Sequence, residues 1–353
     1  MQSVDADRRS YRHVISSPVI ENSRQKRRVL FQGGFFILFI LAPVFDIFRL
    51  DLNLKHFIFF GLDWTLGLDD FPAGHIGPGQ AALNLLLRGF LPIAAVVGTV
   101  LGIAWKYGRL YCGWLCPHFS VVETVNRLMR RAIAKHSLWD RKKTPARNPD
   151  GTVLPSHPAW WLVTLAVALG LAFTWAVVLL TYLLPPAEIY GNLWHGELTR
   201  NQAIFIGVGT ILFFIDFVLA RHLFCRYACA VGLFQSLAWM ANRKGMVVGF
   251  ERTRARDCTG CYSACDHVCP MRLHPRSVKR LMFACVQCGQ CLDACAHTQA
   301  DNPRGPLLQW VTEAAAQWES AFNAHIAAES DRRLVKPCTT VGSNRTCHAR
   351  NRT

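Results

Sequence analysis

Apolar residues gather into four long runs separated by polar loops. The runs cover 29–47, 81–105, 158–184 and 202–220, each near the roughly 20 residues that a helix needs to cross a bilayer. Gln32, Gly33 and Gly34 dilute the first run. Arg88 interrupts the start of the second and is expected to snorkel toward the headgroups, while Asp216 lies near the inner end of the fourth. The apolar stretch "HFIFFGLDW" (56–64) is too short to span and is expected to lie along the outer interface or to re-enter. Residues 231–242 carry the periodicity of an amphipathic helix leaving the membrane. Residues 307–334 read as helix and the tail from Lys336 as disordered.

Charge orders these elements. Seven Arg or Lys fall in residues 1–28 and ten in 106–157, and the chain beyond Arg221 is again basic. Segment 49–80 carries only Arg49 and Lys55 against Asp51, Asp63, Asp69 and Asp70, and segment 185–201 has only Arg200. The positive-inside rule then places both termini and the middle loop in the cytoplasm. The expected organisation is a basic N-terminus (1–28), a four-span membrane region (29–221), a membrane-edge segment (222–250), a cysteine-rich module (251–306) and a basic tail (307–353). A net charge of +16 alone would suit a nucleic-acid binder, but a chain of 353 residues that is 51% hydrophobic and carries these runs excludes that class. The apolar run behind the N-terminal charges lacks a small-residue cleavage site and reads as a retained span rather than a signal peptide.

Twelve of the fourteen cysteines fall in pairs and quartets at short spacing, a pattern of metal binding or thiol chemistry rather than of a disulfide framework. Cys285, Cys288, Cys291 and Cys295 form C-x2-C-x2-C-x3-C. An upstream quartet, Cys258, Cys261, Cys265 and Cys269, ends in proline. Tandem quartets of this kind are the signature of a two-cluster ferredoxin, in which the fourth cysteine of each ligates the other cluster. One 4Fe–4S cluster is therefore assigned to Cys258, Cys261, Cys265 and Cys295, and the other to Cys285, Cys288, Cys291 and Cys269. Zinc sites use two C-x2-C pairs with a longer spacer, which the second quartet does not match. The first quartet is one residue longer than the rule, so either a local bulge keeps all four ligands or the third ligand is shifted and the cluster labile.

Cys112 and Cys116 stand at the inner end of the second run, and Cys225 and Cys229 at the matching end of the fourth. Spacing i, i+4 puts each pair on one face if the segment is helical. These thiols could bind a soft metal such as Cu(I) or cycle between dithiol and disulfide; the bland alternative is small buried hydrophobes. His118 and His222 flank the pairs. Cys338 and Cys347 read as free thiols.

The motifs "GRLYCGWLCP" (108–117) with Glu123, "FCRYACAVGLFQS" (224–236), "LDLNLKHFIFFGLDW" (50–64), "VVGFERTRARDC" (247–258) and "NPRGPLLQW" (302–310) resemble the CcoG/FixG/RdxA family of membrane-bound polyferredoxins. The resemblance implies an α-helical protein of the bacterial cytoplasmic (inner) membrane with a cytoplasmic α+β module holding two 4Fe–4S clusters. It implies an accessory role to cbb3-type cytochrome oxidase: reduction of Cu(II) to Cu(I), with Cys112, Cys116, Cys225 and Cys229 at the copper-contacting or redox positions. The implied partners are the lipid bilayer and the oxidase assembly machinery or a copper-transporting ATPase. The family's fifth span and exterior immunoglobulin-like domain are expected to be missing here. The chain is also similar to NapH/NosR-type membrane ferredoxins, which take electrons from quinol. Arg88, Glu123 and Asp216 are the charged candidates for a quinol site. A further alternative is an assembly factor whose clusters only sense iron or redox state.

Overall fold

The computed structural model describes residues 23–68, 71, 74–135, 137–139, 155–261 and 263–321. Cys338, Cys347 and most of the basic N-terminus lie outside the described residues.

Helix α1 (Ser23–Leu41) leads into three short antiparallel strands, β1 (Phe48–Asp51), β2 (His56–Phe59) and β3 (Leu62–Trp64). Helix α2 (Pro78–Tyr107) carries a π-turn at Leu85–Phe90 and is followed by the short α3 (Leu110–Trp114) and by α4 (Pro117–Ile133). Then come α5 (Trp160–Thr181), α6 (Pro186–His195) and α7 (Arg200–Ala220). A π-turn at Phe224–Ala228 precedes α8 (Ala230–Ala241). The remaining elements are β4 (Val247–Phe250), α9 (Ala264–Val268), α10 (Gln290–Thr298), β5 (Leu308–Val311) and α11 (Glu313–Ala321).

Among the described residues three helices are long and apolar enough to cross a membrane: α2, α5 and α7. The bundle closes through a stripe of small residues. Thr164, Ala168, Ala172 and Ala176 recur every four residues on α5 and are all buried, so α7 can approach closely, as small residues allow in helix pairs that lack a hydrophobic drive. Helix α7 starts at a reciprocal cap: Thr199 Oγ1 accepts from the Gln202 amide at 3.3 Å, and Gln202 Oε1 accepts from the Thr199 amide at 3.1 Å.

The first apolar run does not form the helix expected over 29–47. Helix α1 begins earlier, ends at Leu41, and is not one of the three long apolar helices. Its buried side chains are Gln25, Arg28 and Gln32, whereas Val29, Leu30, Phe31, Ile37 and Leu38 face outward. The polar face is inward because it has hydrogen-bonding work there, described below. The 48–64 stretch is a sheet at the far end of the bundle, pinned where the Leu50 amide donates to the Tyr182 carbonyl at 2.9 Å.

Two further expectations are corrected. Helix α8 does not leave the bundle as an amphipathic strut: it packs against α2 with Val231, Phe234 and Leu237 outward and Gly232, Gln235, Ser236 and Trp239 buried. Residues 308–311 are strand, not helix. They pair antiparallel with β4, Val247 opposite Val311 and Phe250 opposite Leu308, and this two-stranded ribbon joins the two ends of the cysteine-rich module.

Candidate redox site

The eight quartet cysteines border two cavities. Cys258, Cys261, Cys265 and Cys295 line the outer one together with Arg276. Cys269, Cys285, Cys288 and Cys291 line the inner one, whose other walls are apolar apart from Gln287. The cavities enclose about 270 and 340 Å³, space open to solvent included. Each quartet thus lends its last cysteine to the other cavity. The extra residue of the first quartet is absorbed locally. Ser263 adopts left-handed backbone at φ 59° just before α9, as Gly289 does at φ 73° just before α10. Cys265 and Cys291 therefore enter their cavities at the same place, the second residue of a helix.

The donor set suits an iron–sulfur cluster better than a single ion. Among the described residues no three His, Cys, Asp or Glu side chains converge on one ion position, so the thiols stand apart around a space. Burial pushes the Cys288 thiol up to about 12, and Cys285 and Cys291 also upward. Thiolates here thus need a cationic centre in the cavity. Amides already point at the sulfurs: Leu273 N–H donates to Cys269 Sγ at 3.3 Å and Leu307 N–H to Cys295 Sγ at 3.4 Å.

The two cavities are neighbours. Cys291 of the inner one packs in a single apolar core with Cys265 and Cys295 of the outer one. A second core runs from the inner cavity to the bundle, uniting Cys288, Met271 and Val286 with Cys112, Cys225 and Trp239.

The membrane-edge pairs are not on continuous helical faces, as i, i+4 spacing suggested. Cys112 is in α3, Cys116 caps α4, and the chain turns between them. Cys229 caps α8 in the same way, with Cys225 in the preceding π-turn. Cys112 and Cys225 are buried, and Cys116 and Cys229 partly so. Each pair is therefore the hinge between a long helix and a shorter return helix. The proline after Cys116 is preorganised for a helix start; Ala230 occupies the same position without it.

His118, on α4, lies against α7 and the π-turn that follows it. One ring nitrogen, Nε2, is 2.6 Å from Asp216 Oδ2, and the other, Nδ1, is 3.5 Å from Cys225 Sγ. Trp175, Phe217 and Phe224 surround the ring. Asp216 opens a π-turn and keeps its buried Oδ1 without a hydrogen-bond partner; π-turns gather at functional sites. Of the other charged candidates, Arg88 is exposed at the far end near Gly67, and Glu123 is consumed by a clamp. His222 is buried.

That clamp went unread in the sequence. Glu123 accepts from Arg28, from Gln32 Nε2 at 3.0 Å and from Gln290 Nε2 at 2.6 Å. Arg28 Nε donates to the Gly113 carbonyl at 2.7 Å. Gln25 Nε2 donates to the Cys288 carbonyl at 3.0 Å and to Asp293 Oδ2 at 2.6 Å, and Arg24 pairs with Asp293 at 2.8 Å. Helix α1 thereby fastens the first membrane-edge hinge to the inner cavity. The available signal was the spacing of Gln25, Arg28 and Gln32 at i, i+3 and i+7, one helical stripe.

Gly113 is where hinge and cavity touch. A Cβ there would stand 2.0 Å from the Val286 carbonyl oxygen. Gly113→Ala is expected to cost about 1–3 kcal/mol through overpacking, read as a lower unfolding midpoint in detergent and lower iron content. Gly98→Ala, with open space around it, is the control that should lower neither.

The chain matches the family model described as "4Fe-4S binding domain" over residues 89–136 and 201–245. Each matched stretch contains one membrane-edge hinge rather than a quartet, which makes the hinges a sequence repeat as well as a structural one. The ferredoxin-type protein NapH of Escherichia coli is 26% identical over 279 residues, covering 74% of this chain and 83% of that protein. The methylamine utilization ferredoxin-type protein MauN of Methylorubrum extorquens is 28% identical over 199 residues, 53% of this chain and 58% of that protein. Protein RdxA of Cereibacter sphaeroides is 26% identical over 229 residues, 56% of this chain and 43% of that protein. No solved structure matches the chain significantly.

Fold and site define a membrane-type iron–sulfur electron-transfer protein. It is related at low identity to NapH, MauN, RdxA and the regulatory protein NosR of Pseudomonas aeruginosa. RdxA matches at the same 26% identity as NapH but over a smaller share of both chains.

Proposed function

We propose that the chain is a membrane-anchored one-electron carrier that takes electrons from a hydroquinone at the membrane edge. In this reading one 4Fe–4S cluster is held by Cys258, Cys261, Cys265 and Cys295, and the other by Cys285, Cys288, Cys291 and Cys269. The observation that carries it is the row of three thiol groups, outer cavity, inner cavity and membrane-edge hinges, linked by two apolar cores. A 4Fe–4S cluster supplies one-electron storage when bound. The chain supplies thiolates, amide donors and apolar walls that keep water out. In the same reading α1 is a fourth span, and the cysteine-rich module faces the cytoplasm of a bacterial inner membrane, as the basic loops require.

A hydroquinone releases two electrons and two protons, and two one-electron sites match the electrons. The Asp216–His118 pair, bedded among aromatic rings beside Cys225, would take one proton, as a positioned general base does, and the other would leave to water at the membrane edge. His118→Phe is expected to slow reduction by a hydroquinone about 100-fold while leaving reduction by dithionite unchanged. The measurement is anaerobic stopped-flow bleaching of the iron–sulfur absorbance. Equal rates for variant and wild type would remove the histidine from the reaction.

Four soft thiols gathered at the membrane edge favour a second reading, reduction of Cu(II) to Cu(I), since thiolates prefer the Cu(I) product. That activity would serve cbb3-type oxidase assembly or a copper-transporting ATPase. Mixing the reduced protein with Cu(II) and the oxidised protein with hydroquinone separates the two. Rapid reoxidation by Cu(II) without reduction by hydroquinone would install the copper reading in place of the first.

A further inference from the structure

The two cavities differ in the charge on their walls. Arg276 borders the outer cavity, its side chain 11% exposed. Nη2 donates to Ser263 Oγ at 3.1 Å and to Asp266 Oδ2 at 2.9 Å. Nε is buried and has no acceptor among the described residues. A buried guanidinium N–H is costly to leave unmade, so its position on the cavity wall calls for an acceptor inside the cavity. Among the described residues no charged side chain lines the inner cavity. Behind the inner cavity's walls Arg28, Arg109 and Arg272 act on Cys288, Cys285 and Cys269; of these Arg28 is paired with Glu123.

We propose that Arg276 is the residue that sets the reduction potential of the outer cluster above that of the inner one, and so orders electron flow away from the membrane. The inference rests on the two-cluster reading above. Reduction adds one negative charge to the group in the cavity. A fixed cation and an N–H donor beside it favour the reduced form, whereas apolar walls resist the added charge. Ser263, which Arg276 holds, is the left-handed residue of the lengthened first quartet. The same side chain thus braces the loop that distinguishes this cavity and supplies its charge. Asp266 opposes it, within 3.7 Å of Cys265 Sγ. Arg276 is a positioning and tuning residue, not a ligand.

The test is an EPR-monitored redox titration of the full chain, purified anaerobically in detergent, as wild type, Arg276→Gln and Asp266→Asn. The wild type should show two midpoints. In R276Q the more positive one should move negative while the other stays. In D266N, which removes the opposing charge and keeps the guanidinium, the same midpoint should move positive. A structural role alone gives no such opposite pair of shifts. The inference is overturned if the lower midpoint moves instead, if both move together, or if neither moves. Should R276Q lose its outer cluster, D266N decides alone: a negative or absent shift overturns the proposal. Wild-type protein without acid-labile sulfide would overturn the two-cluster reading itself, a different failure from unmoved potentials in a protein that holds both clusters.

Discussion

Cys291→Ser is expected to empty the inner cavity and take the iron content from about eight to about four per chain. Serine oxygen is a hard, poorly ionised donor where the site is built for soft thiolate. The position cannot relax toward water, because Cys291 is buried between Cys288 of its own cavity and Cys265 and Cys295 of the next. The outer cluster should remain and still be reduced by dithionite. Reduction from the membrane side should fall to background, since the remaining site is the one farther from the hinges. Cys112→Ser is the informative comparison. The proposed ligand set holds all the iron in the two cavities, so this variant should keep about eight irons. A loss of four there would move a cluster into the hinges. Iron and acid-labile sulfide analysis with EPR reads both results.

Glu123→Ala should be the most damaging substitution among residues that touch neither cavity as a ligand. Arg28 is 1% exposed, and Glu123 is the carboxylate it pairs with directly. Removing that partner leaves a guanidinium buried on the Gly113 carbonyl and Gln25. Breaking a buried pair from one side costs about 3–5 kcal/mol. Gln290 on α10 and Gln32 on α1 lose an acceptor in the same step. Unfolding in detergent with added denaturant should show the loss. The double variant Arg28→Met, Glu123→Leu should recover part of it, because no uncompensated charge remains. A double variant no more stable than the single one would mean that the charge pair is not what holds the hinge to the module.

Much of the site was legible because cysteine spacing encodes local geometry. Three thiols in C-x2-C-x2-C can only face one side of a tight loop, and the exchange of Cys269 and Cys295 between cavities follows from their places, Cys269 just past the end of α9 and Cys295 within α10. The insertion in the first quartet was visible, but its consequence was not. Only the left-handed backbone of Ser263 shows how Cys265 keeps its place on the cavity wall. The first apolar run hid its role because its polar stripe is short and Gln32 was read as dilution, whereas Gln25, Arg28 and Gln32 have partners more than eighty residues away. His118 and Asp216 looked like separate polar residues at a membrane edge. Nothing local in the chain brings a residue of α4 against one of α7.

By itself the sequence determined what repeats or acts over a few residues. That covers three of the four expected apolar runs as long helices, their alternating loop charge, the paired cysteines at the ends of two of them and two quartets suited to iron and sulfur. These features depend on chain periodicity and ligand chemistry, which are read position by position. The tertiary structure alone decided the contacts between distant segments: α1 as a clamp on the inner cavity, the Asp216–His118–Cys225 line, the β4–β5 ribbon and Arg276 on the outer wall. Such contacts arise when packing buries polar groups that must then find partners, and which partner each finds is fixed by how the helices meet.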